Sequence, residues 1–315
     1  MEDPTVDETL VRSLLDAQHP DLAELELRPV DGGWDNRMWR LGEDLAVRLP
    51  RTPRAPALLR TEHRWLPGLA SRLPLPVPVP VRLGTPSASF PETWLVTTWV
   101  AGEPADRAPV GRGPHAAEAL AGFLTALHQE APDDAPVSPG RGVPLADITE
   151  AAEGHLRAVA TRRDISRMRE VWSDAVAAPV WNRPPVWLHS DLHPANVVVS
   201  EGTLAGVIDF GDLSCGDPAI DLAAAWLLLP SGAAERFFDA YARADEAAVR
   251  RARGWALLRC LVLIDIGRAG ELGLPGGKPT WKHAGEAALA RLLDSVVPER
   301  PCPGTSCTRP DWCRS

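Results

Sequence analysis

No apolar run in this chain is long enough to cross a membrane. The longest, Leu222 to Leu229, falls far short of the roughly 18 residues a span needs. The opening "MEDPTVDETL" has neither the basic start nor the apolar stretch of a secretory signal. A cytoplasmic protein with no membrane partner is expected. Also missing is a basic patch: 33 Lys and Arg against 42 Asp and Glu leave a net charge of -9, which repels nucleic acid. Cysteines number five, an odd set without a signal, so a disulfide framework is not expected. Cys302, Cys307 and Cys313 sit in "CPGTSCTRPDWC" with no obvious fourth ligand for zinc. The Pro, Gly, Ser and Arg around them predict a disordered tail over 299–315. There is no internal repeat, and the one low-complexity run, "LPLPVPVP" at 73–80, predicts a stiff extended segment.

With 45% apolar residues over 315 positions, the chain can build one large core or two moderate ones. Val6, Leu10, Leu14 and Leu15 share one side of a helix. "ELELRPV", "RMWRLG" and "LAVRLP", the last two separated by "GED" at Gly42 to Asp44, read as a three-strand antiparallel meander. A helix over Ala57 to Ala70 carries Glu62, and "TWLVTTWV" at 93–100 reads as a buried strand. "AGEPADRAPVGRGP" then breaks the pattern, which places a hinge after Val100. Beyond it, "HAAEALAGFLTALHQE" and stretches near 147–177, 233–244 and 246–270 are helical, interrupted by the short strands of "VWLHSD", "NVVVS" and "LAGVIDF". The expected plan is a β-rich lobe over 1–100 and a larger helical lobe over 101–298.

The chemistry concentrates in "VWLHSDLHPANVVV" at 186–199. Two histidines, an aspartate and an asparagine in one turn suit a metal-dependent hydrolase, a phosphoryl-transfer enzyme or a satisfied structural loop. A zinc or dimetal site built on His189, Asp191 and His193 would want further His or carboxylate donors on neighbouring strand ends. "NVVV" and "GVIDFGD" offer instead an amide and one or two carboxylates, hard oxygen donors that suit magnesium.

His189, Asp191 and Asn196 spell H-x-D-x-x-x-x-N, and Asp209 of "VIDFGD" follows thirteen residues after the asparagine. The pattern resembles the core of the eukaryotic-like kinases. The fuller "LHSDLHPANVVV...GVIDFGD...GDPAIDLA" is similar to the aminoglycoside phosphotransferase and choline kinase family, over roughly residues 6 to 295 in element order. That resemblance implies an α+β, protein-kinase-like bilobal fold with a small antiparallel sheet in the first lobe and a mainly helical second lobe. It also implies an enzyme that passes the γ-phosphate of ATP or GTP to a hydroxyl. In such chemistry the protein aligns the reactants and neutralises phosphate charge with Mg2+. Asn196 and Asp209 are then the metal ligands, and Asp191 orients the hydroxyl and takes its proton. His189 and His193 hold the loop. Asp217 and Pro218 form a strong helix start, and Asp221 on that helix braces the loop from below.

In the first lobe the resemblance matches Arg48 and Glu62 to a phosphate-touching basic residue and its helix partner. Lysine is usual there; arginine keeps the charge with a larger, forked head. Arg48 read by itself is a strand-edge charge. "VDGGWDNRMW" occupies the phosphate-covering position and offers Gly33, but the G-x-G-x-x-G spacing is absent. Backbone groups of Thr98 and Val100 stand, by analogy with kinase hinges, where adenine would bind.

Asp217 stands only eight positions after Asp209, too few for a peptide-docking activation segment, and Ser190 replaces the arginine that reads a regulatory phosphate in protein kinases. The expected acceptor is therefore a small molecule, foremost an aminoglycoside-type antibiotic, for which Asp265 and Glu271 are candidate ammonium ligands. Read from the residues alone, they are first of all ordinary helix-surface acids. The alternatives are a metabolic kinase for choline, homoserine or a sugar, and a nucleotide-binding module with weak turnover. The chain is expected to act as a monomer or homodimer.

Overall fold

The structure, a computed structural model, describes residues 6–30, 33–159 and 165–295. The tail with Cys302, Cys307 and Cys313 lies outside the described residues. Helix α1 (Glu8–Gln18) opens the chain, capped by the Asp7 carboxylate, which accepts from the Leu10 amide at 2.9 Å. Strands β1 (Leu27–Val30), β2 (Asn36–Leu41) and β3 (Leu45–Pro50) follow as the expected meander. After α2 (Ala55–Ala70) come β4 (Pro80–Gly84) and β5 (Trp94–Thr98), completing an antiparallel sheet of order β1-β2-β3-β5-β4. Arg48 lies on β3, the central strand, opposite Met38 on one side and Leu95 on the other.

Period-two patterning explains the sheet's depth. Leu41, Val47, Leu49, Trp94 and Val96 turn to one buried cluster, where α1 adds Val11, Leu14 and Leu15. Gly84 is required by close packing, since a Cβ there would stand 1.8 Å from the Trp94 indole.

The rest of the chain builds a second core. Strand β6 (Glu103–Pro104) leads into α3 (Gly113–Leu127), α4 (Thr149–Val159) and α5 (Ile165–Ala177). Strands β7 (Val186–Leu188), β8 (Val197–Ser200), β9 (Thr203–Val207) and β10 (Ser214–Gly216) form two small sheets, β6-β8-β9 and β10-β7. Short α6 (Ala219–Leu222) and α7 (Ala224–Leu227) precede α8 (Ala233–Tyr241), α9 (Glu246–Glu271) and α10 (Pro279–Asp294). This is the α+β arrangement the sequence implied, an antiparallel sheet followed by a helical part.

One helix goes beyond that expectation. Helix α10 starts at a proline and buries Gly285, Ala288 and Leu292 at helical spacing, packed against α9. Small residues carry two of those three contacts, so the periodic signal is weak there.

Candidate active site

The loop after β7 is fixed from three sides. From below, the fully buried Asp221 carboxylate accepts the His189 amide at 2.7 Å and the Ser190 amide at 2.8 Å. His128 links that carboxylate (3.3 Å) to the Tyr241 hydroxyl (2.8 Å). From the side, His189 Nδ1 accepts the Asp191 amide at 3.3 Å, which leaves the proton on Nε2, 3.0 Å from the Ile208 carbonyl. That bond ties the loop to the residue before Asp209. From above, the Ser190 carbonyl accepts from Arg141 at 2.9 Å and Arg259 at 2.7 Å. Ser190 itself sits at φ 69°, a left-handed conformation that costs a non-glycine residue energy. Its hydroxyl meets that of Ser214 at 2.7 Å.

These bonds set the Asp191 carboxylate. Oδ1 accepts from Arg141 at 2.6 Å and pairs with Arg259 at 2.9 Å. Oδ2 accepts from Asn196 Nδ2 at 3.2 Å and lies 3.6 Å from His193 Nε2. Burial opposes the charge on Asp191, but Arg259, His193 and Arg141 overcome it and hold the carboxyl well below the usual carboxylate range. Asn196 Nδ2 also donates to the Asp191 carbonyl at 2.9 Å. With its nitrogen spent on Asp191, the amide presents its oxygen elsewhere.

Asp209 follows β9 at φ 63°, with its side chain 48% exposed. Arg48 reaches it from the sheet: Nη2 lies 3.6 Å from Asp209 Oδ1, while Nη1 forks onto Glu62 at 2.6 and 2.7 Å. Burial works against the Arg48 charge, and Glu62 and Asp209 more than restore it. Arg48, Glu62 and Asp209 thus meet, as do Asp191 and Asn196. Gly33 belongs to a tight turn before β2, where a Cβ would fall 2.2 Å from the Asn36 carbonyl oxygen.

Other expected residues are engaged differently. The Thr98 amide donates to the Val79 carbonyl at 2.9 Å and its hydroxyl accepts from the Val79 amide. That N–H is therefore spent within the sheet, so the expectation that backbone groups of Thr98 and Val100 meet adenine falls on the Thr98 carbonyl and the Val100 backbone. Asp265 faces His155 at 3.6 Å and Glu271 pairs with Lys282 at 2.7 Å. Both carboxylates remain half-exposed, and His155 is an ion partner for Asp265 only when protonated.

Several participants were not anticipated. Asp212 joins Arg141 at 3.0 Å and Arg54 at 3.1 Å, and Arg54 continues to Asp35 at 2.6 Å. An ion-pair chain therefore runs from the turn before β2 to Asp191 and Arg259. Trp34 stacks on Trp281 (6.4 Å, 20° between planes), and His193 meets Trp281 edge-on at 4.7 Å. Arg259 was visible as a lone charge in the apolar stretch "WALLRCLVLI"; Arg141 carries no such signal.

As for metals, no group of three or more His, Cys, Asp or Glu poised to hold an ion occurs among the described residues. One half-exposed carboxylate and one amide oxygen fit a hard cation that keeps phosphate and water ligands, as Mg2+ does, and not a zinc cage. No helix among the described residues is long and apolar enough to cross a membrane.

Among solved structures, the GDP and kanamycin complex of APH(2'')-IIIa shares the fold at TM-score 0.67 and 19% identity, over 89% of this chain and 97% of that one. The streptomycin-ATP ternary complex of APH(2'')-IIa gives TM-score 0.54 and 19% identity, over 83% and 90%. Macrolide 2'-phosphotransferase MphH from Brachybacterium faecium gives 0.55 and 22%, over 89% and 97%. A search of curated proteins finds no significant match. The profile of the APH phosphotransferase enzyme family matches residues 26–255, a stretch that includes both the Arg48–Glu62 pair and the Asp191–Asn196–Asp209 loop, and the chain belongs to that family.

Proposed function

We propose that this chain transfers the γ-phosphate of ATP or GTP to a hydroxyl of a small molecule. What supports the reading is that Asn196 bonds to Asp191, that Ile208, the residue before Asp209, bonds to Asn196 and His189 of the same loop, and that Arg48 bridges Glu62 to Asp209. Asn196 and Asp209 would hold Mg2+, which when bound neutralises phosphate charge. Arg48 steadies the phosphate end of the nucleotide, the turn at Gly33 covers it, and the Val100 amide receives the base.

Asp191 orients the acceptor hydroxyl. Its carboxyl is held so far down that it is a weak proton acceptor, so alignment is its larger contribution. In a loose phosphoryl transfer this suffices: the hydroxyl oxygen bonds to phosphorus as the bond to the leaving diphosphate breaks, and the proton passes to Asp191 late.

For the acceptor there are two readings. An aminoglycoside-type antibiotic is supported by the kanamycin and streptomycin complexes of proteins with this fold. A metabolic hydroxyl compound is favoured by the charges at Asp191, which are guanidinium groups and not acids. Purified protein with labelled ATP or GTP, Mg2+ and separate pools of aminoglycosides, macrolides, amino alcohols and sugars tests the function. Label should pass to one pool; label released to none, with no hydrolysis, contradicts it.

A further inference from the structure

The Asp191 carboxylate ends a line of ion pairs that starts on the sheet side of the molecule. Arg54, the residue before α2, forks twice. Its Nε and Nη2 donate to the two oxygens of Asp35 at 3.0 and 2.6 Å, and its Nη1 and Nη2 donate to those of Asp212 at 3.1 and 3.3 Å. Asp212 also pairs with Arg141 Nη2 at 3.0 Å, and Arg141 Nη1 donates to Asp191 Oδ1 at 2.6 Å. Isolated, exposed ion pairs contribute little. These differ, because Asp35 and Asp212 are only 11% and 16% exposed and each takes a bidentate contact from one guanidinium. Position adds to the case. Asp35 ends the turn that carries Gly33, and Asp212 stands three residues after Asp209, beside Gly211, where a Cβ would meet Leu58 of α2 at 3.4 Å. The turn is fastened a second time by Trp34, which stacks on Trp281 of α10.

Resting on the phosphotransferase reading above, we infer that Arg54 and Asp212 are positioning residues, which set Asp191 for the acceptor only while the turn at 33–35 lies against the helical part. The link that transmits this is Arg141, whose two terminal nitrogens are divided between Asp212 and Asp191. A guanidinium fork is matched to one carboxylate through both nitrogens, and Arg54, by already occupying Asp212, keeps Arg141 divided. With Arg54 withdrawn, Arg141 turns onto Asp212 and the Asp191 Oδ1 contact passes to Arg259 alone. The carboxylate then loses one of the two guanidinium groups that fix its angle. Small errors in such an angle are costly, because alignment is the larger contribution of Asp191. Closing the turn over the nucleotide therefore also orders the group that orients the acceptor.

The test measures turnover of labelled MgATP, with the accepting pool or, where none takes label, with water, in Arg54→Met, Asp212→Asn and the double variant. Each single change should lower kcat about tenfold while the nucleotide KM moves less than about threefold, because Trp34 on Trp281 still holds the turn. The double variant should be no slower than Asp212→Asn, since both changes break one link. Arg54→Gln takes the place of Arg54→Met if the latter does not fold. Unchanged kcat, a loss confined to KM, or costs that multiply in the double variant overturn the inference and leave the phosphotransferase reading intact. If MgATP is not turned over at all, that reading fails by itself, and the link is judged by hydrogen exchange. Faster exchange of the Ser190 to His193 amides in the Arg54 variant, ahead of the rest of the helical part, supports it; exchange that is unchanged, or raised throughout, overturns it.

Discussion

Arginine at position 48 reflects a chain nearly without lysine, whose two examples are Lys278 and Lys282. The substitution is not neutral. A planar fork spans Glu62 and Asp209 at once, where an ammonium would be a single point of charge. Arg48→Lys should therefore keep the fold and raise the nucleotide KM by about tenfold more than it lowers kcat, whereas Arg48→Met leaves the fully buried Glu62 unpaired and should cost about 3–5 kcal/mol in chemical denaturation. At Asp191 the sign of the pH effect is set by a depressed folded value. Its contribution to stability is complete above the unfolded pKa of about 4 and is lost as pH falls through the lower folded value. Between about pH 5 and pH 8 the carboxyl stays charged, so kcat/KM should show no acid limb that vanishes in Asp191→Glu; a limb near neutrality that does vanish contradicts this. Asp191, Asn196 and Asp209 stand out in the sequence because a single tight loop and the β8–β9 hairpin after it fix their spacing. The partners of Arg141 and Arg259 were not legible, even though Arg259 shows as a lone charge in an apolar stretch, because each reaches the loop from 50 or more residues away and only packing brings it there.

The element that makes the site is the loop between β7 and β8, and its rigidity is secured from outside itself. Ser190 holds a left-handed backbone only because Asp221, Ser214 and two arginines secure its amide, hydroxyl and carbonyl. Asp221→Ala removes the acceptor of two buried amides and the partner of His128. It should lower stability by about 3–5 kcal/mol in thermal or urea melts; an unshifted transition would show that the loop holds without its brace. The strands of the meander and helix α2 were readable from period, since Trp39 and Leu41 on β2, Leu45, Val47 and Leu49 on β3, and Leu59, Leu66 and Leu69 on α2 recur at strand or helix spacing. Helix α10 was not, because Gly285 and Ala288 pack closely without contributing large apolar side chains to the pattern.

Across the whole molecule, the sheet and the helical part have separate cores but share charged and aromatic bridges. Arg54 joins Asp35 to Asp212, Arg48 reaches Asp209, and Trp34 stacks on Trp281. The candidate site lies where these bridges cross, so nucleotide and acceptor groups would be held by both parts at once. The α+β plan was legible from the switch between strand and helix periodicity near residue 100. The bridges were not, since they depend on how two cores are set against each other. The central claim is that Asn196 and Asp209 grip a metal-bound nucleotide beside Asp191. The most direct measurement is label transfer from ATP across a magnesium titration for wild type, Asp191→Asn and Asp209→Asn. The expected result is a raised magnesium requirement for Asp209→Asn, and turnover reduced about 100-fold with nucleotide binding retained for Asp191→Asn. Transfer at the wild-type rate and wild-type magnesium requirement in both variants would contradict the account.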